Sequence, residues 1–251
     1  MTNVEMRTTI ARSLGGMRNA LDALERYYND PKPDADLPYR WFPYPSKFKS
    51  PEGHERRFVY DVPSSDLQRK YVDRLRKKLV FFATIKGESE EKDKPICVKF
   101  VRHYSREAHE FCANRKFAPE LLGIEYLVGD WIMVVMDRIG RNFILLSSIE
   151  NKEEYVHLYD IIGEKLKQLH QGGLVHGDVR DANIMVSQIP ADKTFFLLDF
   201  DWGGKIDEHV RYPMNVFHSK DLWRPKNAVD GKPILAEHDI QMLAHMFGMP
   251  I

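Results

Sequence analysis

Two short polar motifs, each attached to an apolar segment, constrain this chain more than any other feature. The first is L-V-H-G-D-V-R-D-A-N-I-M-V at residues 174–186, which lies between a predicted helix end and a short predicted strand. The second is F-L-L-D-F-D-W at residues 196–202, where a predicted strand ends in two carboxylates. We expect Asp178 and Asn183 of the first motif to meet Asp199 of the second in one pocket.

These residue types suit phosphoryl transfer from ATP, which requires positioning and charge neutralisation more than covalent chemistry. Asp178 in its loop is placed to act as the base that orients the attacking hydroxyl. Asn183 supplies an oxygen ligand of the kind that a hard divalent cation accepts, and Asp199 supplies a charged one. Chance can place such residues in one window, but the second motif makes coincidence the weaker explanation. We therefore expect ATP and Mg²⁺ as cofactors.

The spacing of these residues resembles that of the protein-kinase-like superfamily. The catalytic-loop pattern His-x-Asp-x-x-x-x-Asn is met by His176, Asp178 and Asn183. The Asp-Phe-Gly pattern is met by Asp199 and Phe200, with Asp201 in place of the glycine. The resemblance implies that His176 braces the loop and that Asn183 and Asp199 bind magnesium.

An upstream segment, I-C-V-K-F at residues 96–100, resembles the strand whose lysine holds the α- and β-phosphates. Lys99 would be that lysine, and its buried-type neighbours make an unpaired charge there costly. Its partner should be a carboxylate on the next helix, where S-R-E-A-H-E offers Glu107 and Glu110. We expect Glu107, because atypical kinases often begin this helix with Arg-Glu-Ala, and Glu110 is the alternative.

The segment W-I-M-V-V-M-D-R-I-G at residues 131–140 resembles the strand that leads into the adenine-binding hinge. Met136 would then be the gatekeeper, and the carbonyl of Asp137 and the amide of Ile139 would bond the adenine edge. A plain core strand would have the same composition.

The segment E-H-D-I-Q-M-L-A-H-M at residues 237–246 resembles the helix whose aspartate braces the catalytic loop. Asp239 would be that residue. A carboxylate that stabilises the helix dipole explains the same position equally well.

The chain departs from the kinase pattern at four places. No Gly-x-Gly-x-x-Gly loop precedes Lys99, Gly177 stands where regulated protein kinases carry arginine, and no Ala-Pro-Glu element follows the second motif. Arg180 stands where Ser/Thr kinases place a phosphate-contacting lysine, and arginine can stabilise a transferring phosphoryl group with more donors.

Further short segments occur along nearly the whole chain: Y-Y-N-D, R-W-F-P-Y, V-K-F-V-R-H-Y-S-R-E-A-H, F-A-P-E-L-L-G, V-V-M-D, F-D-W-G-G-K, R-Y-P and E-H-D-I-Q-M-L. Together they resemble a large group of fungal kinase-like proteins, which includes kinase domains attached to Crinkler-type effectors. This resemblance implies ATP chemistry and leaves the acceptor open. His-Gly-Asp also occurs in aminoglycoside and choline phosphotransferases, whose substrates are small.

Composition argues against several other classes. Lys plus Arg equals Asp plus Glu at 37 each, so no overall charge attracts the chain to nucleic acid. No apolar run approaches the ~20 residues of a membrane helix, no signal peptide is evident, and the two cysteines do not form a disulfide framework, so we expect the cytoplasm or the nucleus. A basic stretch at residues 69–78 is interpreted as a solvated helix face, with nucleic acid or an acidic partner as alternatives.

The predicted architecture is an α+β, protein-kinase-like bilobal fold with a β-rich N-lobe and a helical, shortened C-lobe. Residues 1–63 form an N-terminal helix, with an apolar stripe between residues 10 and 28, and an aromatic, proline-rich strap over residues 37–63. We expect both to pack against one lobe, and a coiled coil is the alternative for the helix. Residues 64–138 form the N-lobe and residues 139–251 the C-lobe.

The function expected from these patterns is an ATP- and Mg²⁺-dependent phosphotransferase, an atypical Ser/Thr protein kinase acting on a protein substrate. The expected catalytic residues are Asp178, Arg180, Lys99 and Asn183. Two alternatives stay open: a small-molecule kinase, and a kinase-shaped binding or regulatory module without activity.

Overall fold

A computed structural model describes residues 3–29, 45–62, 78–87, 93–206, 210–214, 216, 218 and 222–250. The chain divides into two compact units, Met1–Pro45 and Ser46–Ile251, and each is described by itself. The basic stretch at 69–78 falls outside the described residues except for Lys78, as does the strap before Pro45.

In the described part of the first unit, the helix α1 runs from Asn3 to Asn29. Its apolar residues alternate at steps of four and three, which places them on one stripe: Ile10, Leu14, Met17, Leu21 and Leu24. The predicted helix is therefore confirmed, and its docking on a lobe stays a prediction. Of the described helices, none combines the length and the apolar character that a membrane span requires.

The second unit begins with a six-stranded antiparallel sheet. Its strands are β1 (Lys47–Lys49), β2 (Glu55–Tyr60), β3 (Val80–Ile85), β4 (Lys94–Val101), β5 (Leu121–Leu127) and β6 (Trp131–Asp137), in the order β1-β2-β3-β4-β6-β5. Side chains alternate across β4, so Ile96, Val98 and Phe100 are buried on one face. Lys99 points to the opposite face of β4, toward the candidate site.

The strands β1 and β2 correct the predicted strap. Residues 47–60 form a hairpin that pairs with β3, because Phe48 and Phe58 alternate with exposed residues and are buried in the sheet. Their rings lie 6.2 Å apart. The sheet therefore begins at Lys47, well before residue 64, where the N-lobe was predicted to start.

The two edges of the sheet approach each other at Gly123 of β5. A Cβ atom on this glycine would lie 2.5 Å from Phe48 Cδ2 and 2.8 Å from the Lys49 carbonyl oxygen. The Lys49 amide also donates a hydrogen bond of 2.6 Å to Glu125 Oε1. Because only glycine admits this approach, Gly123 allows β1 to lie against β5 and the sheet to curl.

The helix α2 (Arg106–Asn114) connects β4 to β5. Ser105 is its N-cap, and the hydroxyl of Ser105 accepts a hydrogen bond of 3.2 Å from the Ala108 amide. Ala108, His109 and Cys112 form the buried face of the helix. The orientation of α2 is thus set by its first turn.

The remaining described chain is built around two helices, α3 (Leu158–Gln171) and α4 (Ala236–Met246). The short strands between and beside them are β7 (Phe143–Leu145), β8 (Leu174–Val175), β9 (Ile184–Ser187), β10 (Phe195–Leu197) and β11 (Gly204–Lys205). Leu158, Ile162, Leu166 and Leu169 of α3 are buried at helical spacing. Residues 152–155 form a 3-10 turn before this helix. The architecture is the predicted β-rich amino-terminal part followed by a helical part.

Candidate active site

The loop after β8 turns sharply at Gly177, whose φ is +81°. A Cβ atom at this position would lie 3.0 Å from Ile234 Cδ1 and 3.2 Å from the Trp202 carbonyl oxygen. A side chain is therefore disfavoured by both conformation and space. This geometry explains why glycine precedes Asp178 in this chain.

Asp239 of α4 holds this loop through its backbone. Its fully buried carboxylate accepts hydrogen bonds from the amides of His176, at 2.9 Å, and Gly177, at 2.8 Å. His170 Nε2 lies 3.0 Å from the same carboxylate. The brace suggested by the resemblance is present, so dipole stabilisation alone is not a sufficient explanation for Asp239.

His176 connects the loop to the strand that precedes Asp199. Its Nδ1 accepts a hydrogen bond from the Asp178 amide at 3.2 Å, so its Nε2 carries the proton. That Nε2 donates to the carbonyl oxygen of Leu198 at 2.9 Å. The Leu198 amide in turn donates to the Asn183 carbonyl oxygen at 2.8 Å. These bonds bring the two motifs together.

The carboxylate of Asp178 is buried and fully engaged. Asn183 Nδ2 donates to Asp178 Oδ2 at 2.9 Å and also to the Asp178 carbonyl oxygen at 2.9 Å. Arg180 Nε lies 3.1 Å from the same Oδ2, close enough for an ion pair but without hydrogen-bond alignment. Because the Asn183 amide nitrogen is committed to Asp178, its side-chain oxygen is the atom that remains for a cation.

Arg224 is a site residue that the sequence motifs did not indicate. Its Nη2 donates to Asp178 Oδ1 at 2.5 Å, and its side chain is only 2% exposed. The guanidinium lies over the Trp202 ring, 4.4 Å from the centroid. Arg224 belongs to an irregular segment without periodic spacing, so only the burial of the side chain reveals its place.

Lys99 lies between two carboxylates of the second motif. Its Nζ is 2.5 Å from Asp199 Oδ1 and 2.6 Å from Asp201 Oδ1. Lys99 and Asp199 are separated by 100 residues in sequence, so the fold alone brings them together. Asp199 has a φ of +70°, an uncommon conformation for a residue with a side chain and one that re-aims its carboxylate.

The pKa values reflect this crowding. Burial opposes the charge of Lys99, but Asp199 and Asp201 outweigh it and raise the pKa of the lysine. Burial also acts against ionisation of Asp199, yet the Lys99 ammonium prevails and lowers the pKa of that carboxyl. Burial and the Asp199 charge raise the pKa of Asp201 to about 7. Above that pH, two carboxylates face one ammonium, an excess of negative charge that favours a cation.

The predicted pair of Lys99 with Glu107 is wrong. Glu107 is exposed, and the alternative Glu110 pairs with Arg106 at 3.0 Å. The reason lies in the rotation of α2, which places Ala108 and His109 inward and turns Glu107 to solvent. The carboxylates that contact Lys99 come from residues 199–201 instead.

Helix α2 contacts the second motif through Phe200. The imidazole of His109 stacks on the Phe200 ring, and the Ser105 amide donates to the Phe200 carbonyl oxygen at 3.0 Å. Both ring nitrogens of His109 are engaged, Nδ1 with the Tyr104 hydroxyl and Nε2 with the Pro119 carbonyl oxygen, each at 2.8 Å. A neutral aromatic contact therefore occupies the face of α2 where a carboxylate was expected.

The predicted hinge follows β6. Met136 is buried, and the Asp137 amide donates to the Glu120 carbonyl oxygen at 2.9 Å. The Ile139 amide makes no hydrogen bond to any described part of the chain. It is therefore available to a ligand, and the adenine contacts of Met136, Asp137 and Ile139 stay predictions.

The donor set fits magnesium held together with phosphates. No group of three or more His, Cys, Asp or Glu side chains suited to a metal occurs within the described ranges. A nucleotide-bound Mg²⁺ requires only one or two carboxylates, because phosphates and water complete its shell. Asp199 and the side-chain oxygen of Asn183 are oxygen donors of this kind, and the excess negative charge beside Lys99 favours a cation there.

Comparisons with solved structures find protein kinases, whereas no protein-family model and no curated protein matches the sequence. Vaccinia related kinase 3 matches with a TM-score of 0.52 at 14% identity, over 81% of this chain and 67% of that one. The kinase PK-1 of the Cydia pomonella granulovirus has a TM-score of 0.41 at 18% identity, over 55% of this chain and 58% of that one. This chain thus spans less than two thirds of the granulovirus kinase. The match to vaccinia related kinase 3 shows that the chain adopts a protein-kinase-like fold.

Proposed function

We propose that this chain is an ATP- and Mg²⁺-dependent phosphotransferase. The observation that carries the proposal is the 2.5 Å contact between Lys99 Nζ and Asp199 Oδ1. A phosphate-holding cation and a metal-binding carboxylate must lie within one triphosphate's reach for transfer to occur. Their convergence across the fold supports an assembled nucleotide site.

The residues have distinct roles in this proposal. Lys99 binds the α- and β-phosphates, and Asn183 and Asp199 hold the magnesium, which supplies charge neutralisation when bound. Asp178 orients the acceptor hydroxyl and receives its proton. Electrostatic stabilisation and positioning of this kind account for most of the rate enhancement in phosphoryl transfer.

Arg180 is suited to the transferring phosphoryl group. Its side chain is 33% exposed and lies beside Asp178 without a hydrogen-bond-aligned Nε, so it can turn toward a ligand. The guanidinium keeps its charge at any physiological pH and offers a planar fork to phosphate oxygens.

We propose a serine or threonine hydroxyl of a protein as the acceptor, and the cytoplasm or the nucleus as the location. The resemblance of the catalytic-loop spacing to that of protein kinases favours a protein acceptor, and a small-molecule alcohol is the alternative. Balanced charge argues against a nucleic-acid partner.

One observation favours a second candidate, a nucleotide-binding module that transfers no phosphate. Arg224 occupies Asp178 Oδ1 at 2.5 Å, so the proposed base faces a strong competing donor. In this alternative the site binds the nucleotide and Arg224 keeps the base engaged.

The test is incubation with γ-labelled ATP and Mg²⁺, with generic proteins and with small alcohols such as choline and aminoglycosides. Asp178→Asn removes the proposed base with little change in side-chain shape. The matched control is Asp160→Asn, which alters an exposed carboxylate on α3. We expect label on protein that falls at least ~100-fold in Asp178→Asn and is unchanged in Asp160→Asn.

Transfer of the labelled phosphate to a small alcohol instead of a protein would support the small-molecule kinase. Magnesium-dependent binding of ATP without transfer to any acceptor would favour the non-catalytic module. Absence of nucleotide binding in a calorimetric titration would overturn the proposal as a whole.

A further inference from the structure

Asp201 occupies an unusual position beside the phosphate-binding lysine. It stands where the kinase pattern has glycine, and its Oδ1 lies 2.6 Å from Lys99 Nζ. The side chain of Lys99 is only 12% exposed, whereas those of Asp199 and Asp201 are 33% and 30% exposed. The ammonium is thus the most enclosed of the three charges.

Helix α2 supplies no carboxylate to this lysine among the described residues. Glu107 faces solvent and Glu110 is paired with Arg106. The start of α2 instead reaches the second motif through the Ser105 amide and the Phe200 carbonyl oxygen. Within the described part of the chain, the carboxylates that contact Lys99 are therefore those of Asp199 and Asp201.

Of the two carboxylates beside Lys99, only that of Asp199 is proposed to bind the metal. Were Asp199 to hold magnesium, its interaction with Lys99 would weaken, because the metal would compete for the same oxygens. Without a second carboxylate, a lysine as enclosed as Lys99 would then lack a counter-ion from the protein itself, which is costly in a low-dielectric site. Asp201 is the carboxylate still in contact with the ammonium.

We propose that Asp201 is the positioning residue of Lys99, replacing the helix carboxylate as the lasting counter-ion that holds the ammonium toward the phosphates. The inference rests on the proposed function and adds a residue to it. Asp201 acts through Lys99 and does not itself coordinate the metal.

The backbone around Asp201 supports this assignment. Its carbonyl oxygen contacts His103 Nδ1, and its carboxylate points to Lys99. Asn183, the other proposed metal ligand, is bonded to Asp178 on the catalytic loop. The Leu198 amide donates a hydrogen bond to the Asn183 carbonyl oxygen. This bond brings the neighbouring carboxylate, that of Asp199, close to the catalytic loop.

Three variants of the full chain test the proposal: Asp201→Asn, which removes the charge with little change of shape, Asp201→Glu, which retains it, and Asp199→Asn. Calorimetry measures the affinity for ADP in saturating Mg²⁺ and in EDTA. Electron paramagnetic resonance measures the affinity of the nucleotide complex for Mn²⁺. Thermal unfolding shows that each variant is folded.

We expect Asp201→Asn to weaken ADP binding about tenfold with Mg²⁺ and less than that in EDTA, where Asp199 still pairs with Lys99, with Mn²⁺ affinity changed less than twofold. Asp201→Glu restores at least half of the lost binding free energy, and Asp199→Asn lowers the Mn²⁺ affinity. A loss of Mn²⁺ affinity in Asp201→Asn equal to that in Asp199→Asn would make Asp201 a metal ligand and overturn the proposal.

If Asp201→Asn bound ADP as tightly as the wild-type protein does, the inference would also be overturned, while the proposed function would remain intact. Failure of the wild-type protein to bind any nucleotide would remove the proposed function, and the inference with it. The two failures are therefore distinguished by the wild-type titration alone.

Discussion

The imidazole of His109 lies flat against the ring of Phe200, with centroids 4.8 Å apart and an interplanar angle of 7°. His176 meets the same phenyl ring edge-on, at 5.1 Å. Phe200 is therefore the contact that joins α2 to the catalytic loop, and the neutral state of His109 preserves that contact.

The first prediction concerns the pH dependence of stability. Burial lowers the pKa of His109 to about 4, below its ordinary value of 6.5, despite the bond to the Pro119 carbonyl oxygen. Between pH 4 and pH 6.5, His109 binds a proton in the unfolded chain and remains neutral in the folded chain. The free energy of unfolding therefore falls as the pH drops from 6.5 to 4, by about 3 kcal/mol from this residue.

Denaturant titrations of the wild-type protein and of His109→Gln across this range measure the effect. We expect His109→Gln to be less stable than the wild-type protein at pH 7. Its free energy of unfolding should lack the pH dependence that His109 contributes. An identical pH slope in both proteins would contradict the assignment. His157→Gln, which alters an exposed histidine, is the control.

The second prediction concerns the brace of the catalytic loop. Asp239→Ala leaves the buried amides of His176 and Gly177 without an acceptor, and each orphaned donor costs about 1–3 kcal/mol. We expect a loss of about 3–5 kcal/mol in the free energy of unfolding, together with loss of phosphate transfer. Glu237→Ala, in the same helical turn but exposed, is expected to change stability by less than about 0.5 kcal/mol. Equal effects of the two substitutions would show that only the helix dipole matters.

The third prediction separates backbone strain from crowding. Gly177 and Gly173 both have positive φ, at +81° and +74°, but only Gly177 has atoms within 4 Å of an added Cβ. Gly173→Ala is expected to cost about 1 kcal/mol through conformation alone. Gly177→Ala adds the contacts with Ile234 and Trp202, so it should cost at least twice as much and reduce transfer. Equal unfolding midpoints for the two variants would refute this reading of the loop.

The fourth prediction concerns Arg224. Arg224→Lys keeps a positive charge but loses the planar group that lies over Trp202 and bonds Asp178. Since the orientation of Asp178 depends on this contact, we expect kcat to fall about tenfold or more, with unchanged affinity for ATP. Arg211→Lys, at an exposed position, serves as the control. A rise in kcat would instead mean that Arg224 restrains the base, as in the non-catalytic alternative.

The parts of the site that the sequence predicted are those encoded by fixed local spacing. Asp178 and Asn183 lie in one loop, and the strand pattern around Lys99 determines the face on which the lysine lies. Asp239 was indicated only by the resemblance of residues 237–246 to the helix that braces a catalytic loop, and in the structure its carboxylate accepts from the loop amides.

The parts that the sequence missed depend on how elements are rotated and on irregular segments. The partner of Lys99 was assigned to Glu107, but the cap at Ser105 and the burial of Ala108 rotate that carboxylate to solvent. Arg224 lies in a segment without periodicity, so no pattern connected it to Asp178. The hairpin at residues 47–60 was interpreted as part of a strap, because residues 37–63 are rich in proline and aromatic residues.

The close approach at Gly123 has a consequence for the behaviour of the chain in solution. Free sheet edges offer unpaired backbone groups to other molecules, and proteins protect them because they promote strand addition and aggregation. In this sheet β1 and β5 are the two outer strands, and the missing side chain at Gly123 lets one shield the other. A larger residue at position 123 would separate these edges and leave both as templates for self-association.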